Sequence, residues 1–295
     1  MLVATNNSLS VTIRSSLRAA AAAAADCVGY CPSVARDGNG SFSGYNYMRR
    51  PAVSSGWDFA PPVDSAGIWR PLRLRAYDVV AVDAVTVETK PSAGLPVPRS
   101  TKVSWDVTFT AYATGAVDGV TVTVSVAVVG PNGTGDNTTT AVIRAGRDNA
   151  VNVTLHLDEV DAWWPVGLGA PSLYNATVTV CAVDPSDECS NISFPMGFRT
   201  VSLQRPPAPD GVGRLYYFEV NGAPLYVKGA NWVPPDAFPT RGDTAAHFLP
   251  KLDSFVAAGF NTLRVWGGGY PPADAFYIGA SERGLLLWQV RVRRL

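Results

Sequence analysis

Val120-Thr-Val-Thr-Val-Ser-Val126 alternates valine with a hydroxyl-bearing residue at every step. Successive side chains of a β-strand point to opposite faces, so this run predicts a strand with one buried and one wet face. Working outward, the same period recurs in Val85-Thr-Val-Glu-Thr89, Val103-Ser-Trp-Asp-Val-Thr-Phe109, Val151-Asn-Val-Thr-Leu-His-Leu157, Tyr174 to Val180 and Phe198 to Leu203. With β-branched residues enriched and Gly, Pro or Asn turns at short intervals, residues 81–204 predict an antiparallel, immunoglobulin-like β-sandwich of about seven strands.

Upstream, residues 1–80 hold two strand-like runs, Leu9 to Ser15 and Trp69 to Tyr77, separated by a long loop. Two strands cannot bury a hydrophobic face alone, so this region reads as part of a domain lacking its front. The run Ala19 to Ala25 reads as a loop or short helix and is too short to span a bilayer.

Downstream, the Pro-rich linker Arg205 to Asp210 leads to a hairpin, Tyr216 to Val220 and Pro224 to Lys228, closed on Asn221-Gly222. The pattern then changes. A strand over Leu225 to Gly229 precedes a helix, His247 to Ala258, whose Phe248, Leu252, Phe255 and Val256 form one apolar stripe stopped by Gly259. Strand Thr262 to Trp266, helix Ala273 to Arg283 with Gly284 behind it, and strand Leu285 to Gln289 complete a βαβαβ series in residues 211–295. Three parallel strands neither close a barrel nor cover their own faces, so the chain is expected to be incomplete. Its last residues, Arg291-Val-Arg-Arg-Leu295, differ in composition from everything before and read as out-of-frame or unspliced sequence.

Lys and Arg number 24 against 24 Asp and Glu, which gives no electrostatic footprint for nucleic acid or an anionic membrane. The four cysteines form two close pairs, Cys27 with Cys31 and Cys181 with Cys189, without a nearby histidine, so no metal is expected. For the second pair, a hairpin disulfide around Pro185 and free thiols both remain open. His156 and His247 are single and read as a surface and a capping residue. The run Gly267 to Gly269 lacks the Lys-Ser/Thr of a phosphate loop. Asn-x-Ser/Thr sequons at Asn6, Asn39, Asn132, Asn137, Asn152, Asn175 and Asn191 point to a lysosomal or secreted parent protein, although no signal peptide is visible.

Several strings are more specific than these patterns. They are Trp57-Asp-Phe-Ala-Pro61, Gly67-Ile-Trp-Arg-Pro-Leu72, Trp163-Trp-Pro-Val-Gly-Leu-Gly169, Phe198-Arg-Thr-Val201, Lys228-Gly-Ala-Asn-Trp-Val-Pro-Pro-Asp236, Leu263-Arg-Val-Trp-Gly-Gly-Gly269 and Leu287-Trp-Gln289. Together they resemble the β-mannosidase branch of the glycoside hydrolase 2 family, with exo-β-glucosaminidases as the near alternative. The resemblance implies a multidomain β plus α/β chain: part of a jelly-roll sugar-binding domain, the immunoglobulin-like sandwich, then the first three strands of a (β/α)8 barrel. It implies hydrolysis of terminal β-D-mannose from oligosaccharides, including N-glycan-derived ones, with retention and without a cofactor.

The resemblance also implies site residues. Trp57 and Asp58 would reach over the barrel mouth, where Phe59 stands in place of the family's tryptophan. Asn231, Trp232, Arg264, Trp266 and Gln289 would sit at strand ends facing that mouth. Trp266 would wall the mannose subsite and Arg264 would hold the nucleophile carboxylate. The Gly67-Ile-Trp-Arg70 and Trp163-Trp-Pro165 strings read as structural, at a strand end and a domain junction. The family's acid/base and nucleophile glutamates belong to strands four and seven, beyond Leu295, so no catalytic residue is expected in the chain. Glu282, on the second helix, lies on the wrong side of the strands. A second reading, a non-catalytic carbohydrate-binding or interaction protein, stands beside the enzyme.

Overall fold

The computed structural model describes residues 8–29, 31, 44–48, 50–63, 65–99, 102–131, 133–183 and 188–290. Sequons Asn6, Asn39 and Asn132, the Pro185 turn and the basic tail from Arg291 lie outside them. Helix α1 (Ser16–Ala25) opens the described chain, with the Ser15 hydroxyl accepting the Arg18 N–H. The predicted strands over Leu9 to Ser15 and Trp69 to Tyr77 do not form. Alternation supplies a face but no partner: Leu9, Leu72 and Leu74 stay exposed, Pro71 has no N–H to donate, and Arg75 turns to the Val82 carbonyl and Asp83.

The sandwich forms from the alternating runs with two changes of membership. Strands β1 (Val80–Pro91), β2 (Val103–Gly115), β3 (Val120–Gly130), β4 (Gly133–Ile143), β5 (Gly146–Val160), β6 (Tyr174–Ala182) and β7 (Cys189–Met196) form two antiparallel sheets. Their orders are β1-β2-β5 and β4-β3-β6-β7. Inward residues of the two sheets, among them Trp105, Val107 and Phe109 against Val124, Val126 and Val178, make one continuous core. Strand β4 escaped the sequence reading because Gly133-Thr-Gly-Asp-Asn-Thr-Thr-Thr140 has no apolar side, yet it pairs with β3 from Val120↔Ile143 to Gly130↔Gly133. Cys181 and Cys189 are register partners on β6 and β7 and are bonded, as are Cys27 and Cys31.

The stretch Phe198 to Leu203 is not a sandwich strand. Phe198 plugs the core beside Trp105 and Tyr174, while β8 (Val201–Gln204) leaves to pair with β9 (Tyr217–Val220), which turns into β10 (Ala223–Leu225). Asn221 and Gly222 close that hairpin at φ 54° and 78°, both left-handed. Asn221 is also fully buried, its side chain accepting the Thr200 N–H and donating to the Trp163 carbonyl.

The βα series then follows: β11 (Gly229–Trp232), α2 (Pro239–Gly242), α3 (Ala245–Ala257), β12 (Thr262–Val265), α4 (Asp274–Glu282) and β13 (Leu286–Gln289). The three strands are parallel, in order β11-β12-β13. The first lies four residues beyond the expected Leu225 to Gly229, because residues 223–225 are already committed to the hairpin. A second core fills the layer between sheet and helices, where the stripe of α3 meets Leu263, Val265, Phe276 and Trp232.

Candidate functional site

Alternation divides the parallel strands into two faces. Leu263 and Val265 point to the helices, and so does Trp232, which is 6% exposed with its ring 4.7 Å from that of Phe276. The expectation that Trp232 faces the open mouth is therefore corrected: the shift of the first strand places it inside the ladder, opposite Val265. Gln289 is corrected likewise, since the Tyr277 hydroxyl of α4 donates to its Oε1 at 2.9 Å.

The other face carries Asn231, Arg264 and Trp288 in one register row. Arg264 Nη1 donates to Asn231 Oδ1 at 3.0 Å, and both side chains are exposed. This bond fixes one edge of the guanidinium fork and leaves its remaining N–H groups directed to solvent. Trp288, which the sequence reading did not single out, is 48% exposed and packs edge-on against Phe218 at 5.9 Å. Its register with Arg264 was the signal that would have found it.

Trp266 follows β12 and extends the ladder by one bond, its N–H donating to the Trp232 carbonyl at 3.0 Å. Its indole meets the long loop of the first region. There Trp57 and Ala60 exchange both backbone hydrogen bonds, a tight turn with Asp58 and Phe59 at its tip. The Trp57 ring lies 5.2 Å and the Phe59 ring 5.6 Å from that of Trp266, both edge-to-face, a preferred geometry for aromatic pairs. A strap holds the two segments together: the Val53 N–H donates to the Gly268 carbonyl at 2.9 Å. A Cβ on Gly268 would stand 2.1 Å from the Trp266 ring, so the glycine run lets the loop fold over the indole.

Asn231 and Arg264 thus pair on the face away from the helices, Trp57 and Phe59 pack on Trp266, and Trp232 lies apart on the helix face. Phe59 completes the aromatic wall. Asp58 is exposed at the tip of its turn. The glutamates are elsewhere: Glu282 is on α4 beside Arg283, Glu219 accepts from Gln204, Glu188 holds backbone N–H groups at the start of β1, and Glu88 and Glu159 belong to sandwich strands.

Two joints hold this arrangement. Trp69 packs on Tyr270 at 5.8 Å while Arg70 pairs with Asp243 at 3.0 Å and donates to the Pro271 carbonyl, so the Gly67-Ile-Trp-Arg string braces a domain joint and not a strand end. Burial first, then the negative Asp243 and Asp236, push the Tyr270 hydroxyl up to about 12. On the other side, the buried Trp163 donates to the Ser281 carbonyl at 2.8 Å and Val166 to that of Gly284, tying the sandwich to the end of α4 as expected of a junction. A cleft of about 280 Å³ at this second joint, lined by Val87, Leu173, Arg199 and Ser281 among others, contains none of the candidate residues.

Residues 97–199 match the family described as "Glycosyl hydrolases family 2". The chain is 30% identical over 273 residues to a β-mannosidase of Rattus norvegicus and 32% identical over 263 residues to one of Mus musculus, matches that cover 88% of this chain and 28% of each relative. It therefore spans under a third of the length of these curated relatives. A solved β-D-mannosidase of Dictyoglomus thermophilum shares the fold with a TM-score of 0.75 at 23% identity, over 93% of this chain and 31% of that one. An exo-chitosanase of Amycolatopsis orientalis matches with a TM-score of 0.58 at 26% identity, over 77% and 24%. Residues 97–199 thus match the model of glycosyl hydrolases family 2, and the chain around them is similar over most of its length to β-mannosidases.

Proposed function

We propose that the chain supplies the sugar-facing wall of a β-mannosidase-type retaining glycoside hydrolase, which removes terminal β-D-mannose residues from oligosaccharides such as those derived from N-glycans. In this reading residues 1–80 are part of a jelly-roll sugar-binding domain, 81–204 the immunoglobulin-like sandwich, and 211–295 the first three strands of a (β/α)8 barrel. The parent protein is lysosomal or secreted. No helix among the described residues is long and apolar enough to cross a membrane.

The observation that carries the reading is the Trp57, Phe59 and Trp266 cluster, with Arg264 of the Asn231–Arg264 pair on the strand that leads into Trp266. An indole offers a flat apolar surface to the C–H face of a pyranose ring, while Asp58 and the free side of Arg264 offer an acceptor and donors for its hydroxyls or for a carboxylate. Retention needs two carboxyl groups about 5 to 5.5 Å apart astride the scissile bond. Asp58, at the tip of its turn, is the carboxylate next to the described aromatic cluster, and in this reading the chain's part is to bind and orient the sugar.

The test is a fluorescence titration of the chain with β-1,4-mannobiose, run beside an assay with an aryl β-mannoside. We expect saturable binding that W266A and R264A each weaken by about tenfold, which is ~1.4 kcal/mol, and no turnover. Absence of binding, or wild-type affinity in both variants, overturns the assigned wall; hydrolysis by the chain overturns the division of chemistry. Tighter binding of chitobiose-derived glucosamine than of mannose would favour the exo-β-glucosaminidase alternative, which the similarity to the exo-chitosanase keeps in view.

A further inference from the structure

The sequons are not used by the sugar-facing wall, and four of the seven fall on described sandwich strands: Asn137 on β4, Asn152 on β5, Asn175 on β6 and Asn191 on β7. All four side chains are exposed; Asn152, Asn175 and Asn191 lie on outward faces, alternating with inward neighbours such as Val153, Ala176 and Ile192, whereas Asn137 shares the inward face of its register partner Val126 on the edge strand β4. They are not equivalent. The Asn137 amide is committed at both ends, its Nδ2 donating to the Thr154 carbonyl at 2.7 Å and its Oδ1 accepting the Thr138 N–H at 2.8 Å. The amides of Asn152, Asn175 and Asn191 make no hydrogen bond to any described residue.

A second observation concerns the compartment. All four cysteines are joined, Cys27 to Cys31 and Cys181 to Cys189, and no described cysteine is free. Disulfides persist in oxidising compartments, which are also where oligosaccharide is transferred to asparagine. Register sharpens the picture on the four-stranded sheet. Thr177 and Ser193, the hydroxyl residues of the Asn175 and Asn191 sequons, face each other across β6 and β7 at 2.8 Å. Asn191 stands opposite Thr179, four residues along β6 from Asn175, so the two asparagines lie ~14 Å apart on one face. Strand β7 is the edge of its sheet and carries no charged residue from Cys189 to Met196, so Pro195 and the bond from the Val82 N–H to Ser190 are what guard it against pairing with another chain.

We propose that Asn152, Asn175 and Asn191 carry N-linked oligosaccharides and that Asn137 does not, its amide serving instead to pin β4 to β5. In the transfer step the asparagine Nδ2 bonds to the anomeric carbon of a polyprenyl-pyrophosphate-linked oligosaccharide. The bond from that carbon to the pyrophosphate oxygen breaks, the lipid pyrophosphate leaves with the electron pair, and the amide proton passes to a base of the transferase. Bulk at Asn191 then stands at the uncharged edge, and bulk at Asn175 beside it covers the outward face of β6.

This inference rests on the lysosomal or secreted placement proposed above, and its test separates the two. The full chain is expressed behind a cleavable secretion leader in a eukaryotic cell. Total chain, retained and secreted alike, is treated with peptide N-glycosidase and mapped by peptide mass, which reads each modified asparagine as aspartate. We expect conversion at Asn152, Asn175 and Asn191, the loss of one glycan in each of N152Q, N175Q and N191Q, and an unconverted Asn137. Unmodified Asn175 and Asn191, or a glycan on Asn137, overturns the assignment. A chain glycosylated as expected that does not bind β-mannosides leaves this inference standing and removes the hydrolase reading instead.

Discussion

The Glu188 carboxylate accepts the backbone N–H groups of Asp78, Val79 and Val80 at 3.0, 2.6 and 3.1 Å, where the first region passes into β1. Burial alone raises its pKa, the three donors lower it, and the balance lies below the ordinary 4.5. A depressed carboxyl contributes stability at pH above its unfolded value and loses it as pH falls through the folded value. We therefore expect E188Q to lower the unfolding free energy by ~1–2 kcal/mol at pH 7, a difference that shrinks on acidification below about pH 4, read by urea denaturation across pH. His156 shows the opposite sign. Its Nδ1 lies 2.7 Å from Asp106, the hydrogen bond that contributes most to raising its pKa above 6.5, with Asp158 adding to the effect. The stability it lends is complete below its unfolded pKa and is lost as pH rises through the folded one. Titration by NMR is expected to place His156 above 6.5 and to move it back in D106N. Neither partnership was legible in the sequence, because His156 meets Asp106 only through the β2–β5 register.

Among the elements, the hairpin β9–β10 gives the sharpest expectation. Gly222 has φ 78°, and a Cβ there would lie 2.8 Å from the Pro96 Cα, so G222A is both strained and crowded. A loss of ~1–3 kcal/mol in denaturant unfolding is expected. This hairpin was readable because Asn-Gly between apolar runs states a conformation locally. The sandwich strands were readable for a similar reason: Val122, Val124 and Val126 declare a buried face without needing to know the neighbour. What failed were statements about partners. Leu72 and Leu74 alternate correctly and pair with nothing among the described residues, while β4 pairs along its whole length without an apolar residue before Ala141. The candidate site divides the same way. Arg264 falls on the exposed face that counting along β12 gives, whereas Trp232 falls on the helix face because the start of β11 depends on where the preceding hairpin ends. The approach of Trp57 to Trp266 came from the family strings, since no local pattern brings those two segments together.

At the scale of the molecule, the first region is held on the parallel sheet by a few contacts, of which the Arg70 pair with Asp243 and its bond to the Pro271 carbonyl are the most exposed. R70A is expected to cost about 1 kcal/mol and raise the opened population roughly fivefold, seen as faster limited proteolysis in the 65–77 stretch with the sandwich left intact. The strap from Val53 to Gly268 has a temporal side as well. The ring of Trp57 leaves the ribosome roughly two hundred residues ahead of the indole it packs against, which at 5–20 residues per second is a wait of about 10–40 s. During that interval the sandwich between them can fold, while the sticky tip of the loop has nothing of its own to cover it. The aromatic wall consequently closes only after that wait, and the window before it closes is when a chaperone would find this chain.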